Sequence, residues 1–120
     1  MSDTAHYAPR VIKFGGNDID DPAWLAKLVA TVAGLGAAEL PIIVHGGGKE
    51  IGQLQAALGG EPRFVDGLRY TDPTALQAAT MVLCGAVSTR LVAALTAGGV
   101  DALGLSGVDR GLVRAERQTA

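Results

Sequence analysis

Twice in the first half of the chain, a short apolar run ends on glycines and gives way to a segment with helical spacing. Val11-Ile-Lys-Phe14 runs into Gly15-Gly16, and Pro41-Ile-Ile-Val44 runs through His45 into Gly46-Gly47-Gly48. Short apolar runs bounded by turn residues read as strands covered on both faces. After the first run, Asp20-Asp21-Pro22 supplies an acidic cap and a proline at the first helical position. Trp24, Leu25, Leu28, Val32 and Leu35 then recur at helical spacing, up to the helix-weakening Gly34 and Gly36. After the second run, Ile51, Leu54 and Leu58 mark another helix. Parallel strands need a crossover between them, usually a helix, so this alternation predicts an α/β chain. The expected architecture is an open three-layer αβα sandwich around a mainly parallel sheet, with helices on both faces.

Gly59-Gly60-Glu61-Pro62 interrupts the pattern, and Phe64 to Thr71 reads as extended or as a hairpin. Thr71-Asp72-Pro73 repeats the acidic cap with proline, and a helical stretch follows to about Ala97, with Gly85 as the place for a bend. Gly98-Gly99 ends it. Ala102 to Leu105 reads as a further strand, and Gly107 to Gly111 as a turn into Leu112 to Glu116. Strand signals are still active there, and a lone sheet of this kind leaves an edge and a face uncovered. The chain is therefore expected to be part of a longer domain. Residues 1–9, MSDTAHYAP, read as a loose leader.

The glycines need a physical reason, because glycine loses the most backbone freedom on ordering. In open α/β sheets, ligands bind beyond the carboxyl ends of strands, where both clusters sit. Without a Cβ, backbone N–H groups can turn toward a ligand, and a helix N-terminus favours an anion. Two such corners would make a nest for phosphate oxygens. The plainer alternative is a tight strand-to-helix turn. The Walker pattern fails, because Ile43 and Glu50 stand where its first glycine and its Ser or Thr belong. The dinucleotide fingerprint fails at Ile51, leaving only the looser spacing of Gly46, Gly48 and Gly52. A dinucleotide-binding or a non-catalytic anion-binding module thus remains as an alternative.

Lys13 lies inside the first strand, where an ammonium is costly unless its head meets an anion; the alternative is an edge strand with Lys13 snorkelling to water. Arg69 could hold a carboxylate through two parallel bonds, or be a solvated loop residue. His45 reads as a hydrogen-bonded corner residue, and no cluster has metal spacing. Cys84, among Met81, Val82 and Leu83, reads as core. As the single cysteine it forms no internal disulfide, which fits a reducing cytoplasm. A net charge of −2 with mixed signs supplies no electrostatic reason for a nucleic-acid or membrane partner. No apolar run approaches the ~20 residues of a membrane span. With 120 residues, 48% of them hydrophobic, one modest core is expected.

Four stretches together carry a resemblance: Lys13-Phe-Gly-Gly16, Val44-His-Gly-Gly-Gly-Lys-Glu-Ile51, Phe64-Val-Asp-Gly-Leu-Arg-Tyr-Thr-Asp72 and Val100-Asp-Ala-Leu-Gly-Leu-Ser-Gly107. In this order and spacing, over Arg10 to about Glu116, the chain resembles the amino-acid kinase family. Within it, the chain is similar to the branch of arginine biosynthesis that phosphorylates N-acetyl-L-glutamate. The first stretch alone would suit aspartokinase equally, and kinases of carrier-bound aminoadipate usually alter the second and third. The resemblance implies transfer of the ATP γ-phosphoryl group, with Mg2+, to the side-chain carboxylate. It implies Lys13 as the catalytic charge, with Gly15, Gly16 and Gly47 as donors around the phosphoryl group. Gly47 and Gly48 would line the acetylglutamate site, and Arg69 would hold the α-carboxylate. Cytoplasmic homodimers or larger homo-oligomers are implied as well. Family members continue past Ala120 into the part carrying most of the nucleotide site, so the covered chain is the acceptor-side half. One departure stands out: Ser88-Thr89 occupies the place of the family's common Asn-Lys.

Overall fold

The computed structural model describes residues 9–35, 39 and 41–117. Most of the expected leader, residues 1–8, and Gly36 lie outside them. Strands β1 (Arg10–Phe14) and β2 (Pro41–His45) pair in parallel, with Val11 opposite Ile42 and Phe14 opposite His45. Side chains alternate between the faces of a strand. Phe14 and Ile43 turn to one side and meet helix α2 (Pro22–Ala33) and helix α5 (Ser88–Ala97) through Leu28, Val32, Leu91 and Leu95. Trp24 meets Phe14 edge to face, with ring centroids 4.8 Å apart. Val11, Ile42 and Val44 are on the opposite side and exposed. The parallel α/β class is the expected one; among the described residues, helices cover one face of the sheet.

The caps behave as read. Asp21 Oδ1 accepts from Ala23 N–H at 2.9 Å, ahead of Pro22. Leu35 lies beyond the end of α2, after the cap at Gly34. A one-turn helix α1 (Gly16–Ile19), not anticipated from the sequence, precedes α2 and buries Ile19. Ile19 packs with Ile51 of α3 (Gly48–Ala57), Ala78 of α4 (Pro73–Thr80), and Val82 and Val87. This second cluster lies directly beneath the glycine corners. On α3 the buried stripe is Ile51 and Gln55, with Leu54 partly buried; Leu58, expected inside, caps the helix and is exposed.

Strands β3 (Phe64–Val65) and β4 (Leu68–Arg69) form the anticipated hairpin. Asp66 and Gly67 at its tip both have positive φ, as a type I′ turn requires. Asp72 caps α4 by accepting from Ala75 N–H at 2.7 Å. From Pro73 to Ala97 the chain is helical, through a π-helical segment at Met81–Val87 that contains Gly85. The sequence expectation about apolar runs needs correction here, because this 25-residue helix is long and apolar enough to cross a membrane by length and composition. It also buries Ala75, and it places Ala78, Val82, Val87, Leu91 and Leu95 in the two clusters.

Ala102–Leu105 does not form the expected strand, and Leu112–Glu116, after the turn, is not a strand either. A strand exists only through a ladder partner, and these segments have none among the described residues. The first lies against α5 instead. A Cβ on Gly104 would meet Ser88 Oγ at 3.0 Å, while Leu103 and Leu105 stay exposed. The asymmetry of the sheet has a measurable consequence for this 120-residue chain. Leu91→Ala, between α2 and α5, should lose about 2–5 kcal/mol in urea unfolding. Val11→Thr, on the open face, should change stability by no more than ~0.5 kcal/mol. Equal losses would mean that the open face is covered in solution.

Candidate active site

Equal register ends β1 and β2 at the same level, and both chains turn there on glycine. Gly46 N–H donates to Phe14 O at 3.2 Å. The two corners then touch backbone to backbone. A Cβ on Gly16 would stand 2.7 Å from Gly47 N and 2.8 Å from Gly47 Cα, a separation real Cβ atoms do not adopt. Gly47 is constrained from below, where its Cβ would meet Leu83 at 3.1 Å and Val82 at 3.2 Å. Gly48 faces open space, and Gly15 meets only Asp18 at an ordinary 3.4 Å. Gly47 caps α3, and Ile51 N–H donates back to it at 2.9 Å. The earlier N–H groups of that first turn have no helical partner and carry the positive end of the dipole.

Arg69 reaches this corner from the hairpin. Its Nη2 donates to Gly48 O at 3.1 Å, and its Nη1 to Gln55 Oε1 at 3.2 Å. The guanidinium also lies over the Phe64 ring, 5.0 Å from the centroid. A guanidinium has five N–H donors, so about three remain for a ligand. Lys13 pairs in register with Val44 and is exposed on the open sheet face, without an ion pair or side-chain hydrogen bond among the described residues. Burial of Lys13 inside a covered strand is thus not observed, since neither strand has a second neighbour among the described residues. His45 Nδ1 lies 3.3 Å from Gly46 O, the corner role expected of it.

Two features escaped the sequence reading. Gln55 is 1% exposed and ties Arg69 to the loop after α3. Its signal was its place four residues after Ile51, on the apolar stripe of α3. Arg90 links three elements, donating to Glu50 at 2.6 Å and Asp20 at 3.0 Å, with its own Nε buried and without a partner among the described residues. Glu50 puts negative charge in the first turn of α3, and Arg90 offsets it beside the corner. No local pattern announces a contact between residues 70 positions apart. Cys84 is exposed rather than core. It lines a cavity of about 110 Å³ with Ser88, Gly104, Leu105, Ser106 and Asp109. Among the described residues, no group of three or more His, Cys, Asp or Glu could hold a metal ion.

Glycine corners in backbone contact at the ends of parallel strands, with an arginine bonded to one of them, gather N–H donors and positive charge at one end of the sheet. The chain belongs to the amino acid kinase family, whose model matches residues 9–119. It is 64% identical to an acetylglutamate kinase of Roseiflexus sp. (strain RS-1), over 98% of this chain and 46% of that protein. An acetylglutamate kinase of Roseiflexus castenholzii is 60% identical over 98% of this chain and 45% of its own length. One of Methanopyrus kandleri is 47% identical over 91% and 41%. The chain thus spans under half the length of these relatives. The fold is similar to the crystal structure of smu.665 from Streptococcus mutans UA159, with a TM-score of 0.65 at 24% identity, covering 82% of this chain and 40% of that one.

The corner contact predicts unequal glycines. Gly16→Ala should destabilise by roughly 2 kcal/mol or more, because its methyl meets backbone that cannot yield. Gly48→Ala has open space at a helix start and should stay within about 0.5 kcal/mol of the parent. Thermal melts of the two variants decide it, and a tolerated Gly16→Ala would mean that the corners do not touch.

Proposed function

We propose that this chain forms the acceptor- and phosphate-binding part of a kinase that transfers the γ-phosphoryl group of ATP to the side-chain carboxylate of N-acetyl-L-glutamate. The observation that carries the reading is the contact between the two glycine corners, with Arg69 bonded to Gly48 on the same corner. The names of the similar proteins support the choice of acceptor.

A carboxylate acceptor, with a pKa near ~4, is already ionised at neutral pH, so no general base is required. Its oxygen attacks the γ-phosphorus, the bond to the bridging oxygen breaks, and ADP leaves with that electron pair. The difficulty is bringing two anions together, and phosphoryl transfer is governed by positioning and charge. In this reading the N–H groups of Gly15, Gly16 and Gly47 surround the phosphoryl group, and Lys13 offsets the charge that develops on it. Gly47 and Gly48 line the acceptor, and Arg69 holds its α-carboxylate. ATP enters as its magnesium complex, and the working enzyme is a cytoplasmic homo-oligomer of arginine biosynthesis.

Turnover by the protein carrying this chain, followed by hydroxamate trapping of the acyl phosphate, tests the assignment. Lys13→Met should lower kcat by about two decades with little change in the KM for acetylglutamate, since its charge acts in the transition state. Arg69→Lys should raise that KM about ten- to a hundredfold with kcat and the KM for ATP nearly constant. A near-normal kcat for Lys13→Met would return Lys13 to the surface. Loss of ATP affinity on changing Arg69 would remove it from the acceptor site.

A further inference from the structure

A carboxamide in a core must have both its ends satisfied. Gln55 meets that demand in one orientation. Its Nε2 donates to Glu61 O at 3.1 Å, and its Oε1 accepts from Arg69 Nη1 at 3.2 Å. The loop after α3 closes over it, with Gly60 N–H donating to Gln55 O at 2.9 Å. A Cβ on Gly60 would stand 3.1 Å from Gln55 Cγ, so the loop has little room to shift. Arg69 is therefore held at two points of one helix, the Gly48 carbonyl at its start and the Gln55 carboxamide two turns on. Helical side chains lean toward the N-terminus, which brings a residue two turns on back toward the helix start.

We infer that Gln55 is a positioning residue and a determinant of carboxylate affinity: its neutral amide orders the Arg69 guanidinium at the glycine corner without neutralising it. The identity of the ligand rests on the proposed function; the ordering of Arg69 does not. An apolar residue at position 55 would leave Nη1 without this acceptor. A glutamate there would keep a bond to Arg69 but lose the donor to Glu61 O, and it would compete with an incoming carboxylate for the guanidinium charge. The amide is the side chain of this size that fixes the fork and leaves its charge for the ligand.

The test uses Gln55→Met, which keeps length and apolar packing, and Gln55→Glu, which keeps shape. Backbone folding is checked by circular dichroism, and the order of the Arg69 Nε–H by 15N relaxation in the ligand-free chain. Affinities are measured by calorimetry for N-acetyl-L-glutamate and for 4-acetamidobutanoate, the same molecule without the α-carboxylate. Gln55→Met should make the Arg69 Nε–H mobile and weaken acetylglutamate about tenfold, with the analogue within about twofold of wild type. Gln55→Glu should keep Arg69 ordered yet weaken acetylglutamate by a similar factor. An equally ordered Arg69 in Gln55→Met overturns the inference. So does an analogue that loses as much affinity as acetylglutamate, which would assign Gln55 a packing role alone. If Gln55→Met does not fold, wild-type affinity for acetylglutamate in Gln55→Glu overturns it. Should wild type bind neither compound, the proposed function fails, while relaxation still decides whether Gln55 orders Arg69.

Discussion

Everything at the candidate site depends on the parallel register of β1 and β2. A five-residue ladder without offset brings Phe14 level with His45, so the two chains must turn at the same height. Two turns at one height collide unless both lack side chains. Gly16 and Gly47 resolve the collision by backbone contact. The same contact concentrates amide groups at one end of the sheet, where an anion can be received. Steric necessity and chemical capacity are here one feature.

The charges around that corner are arranged by long-range packing. Arg69 arrives on a hairpin and is fastened to α3 through Gly48 and Gln55. Arg90 arrives from α5 and joins the start of α3 to the end of α1 through Glu50 and Asp20. Each exposed pair contributes little alone. Their collective effect is geometric, because both arginines restrain the first two turns of α3, the element whose N-terminus forms one wall of the site. The cluster of Ile19, Ile51, Ala78, Val82 and Val87 supports that wall from below.

Among the described residues, an apolar sheet face remains open on the side of Val11, Ile42 and Val44, and Lys13 shares it. In the resemblance, Lys13 meets the transferring phosphoryl group, and in the described residues it meets solvent. Both are compatible with a lysine one pair short of the strand end, because its long stem can reach past that end. Relatives more than twice as long as this chain have further residues with which to cover such a face.

Local chemistry was legible in the residues themselves. Asp21 and Asp72 cap helices because a short carboxylate before proline has few better uses, and Asp66-Gly67 turns a hairpin because both residues tolerate positive φ. The α/β class followed from alternating apolar runs, and the glycine corners from their place at strand ends. Ladder partners were not legible. Ala102–Leu105 has strand composition, yet pairing is a property of two segments and the second is not among those described. Nor were Gln55 and Arg90, whose roles arise from contacts 14, 40 and 70 residues away. Sequence by itself determined which residues could turn, cap and line an anion site, because those properties belong to single side chains and their neighbours. Only the tertiary structure decided which of them meet, because hydrogen bonds of a few ångströms between distant residues depend on how whole helices pack.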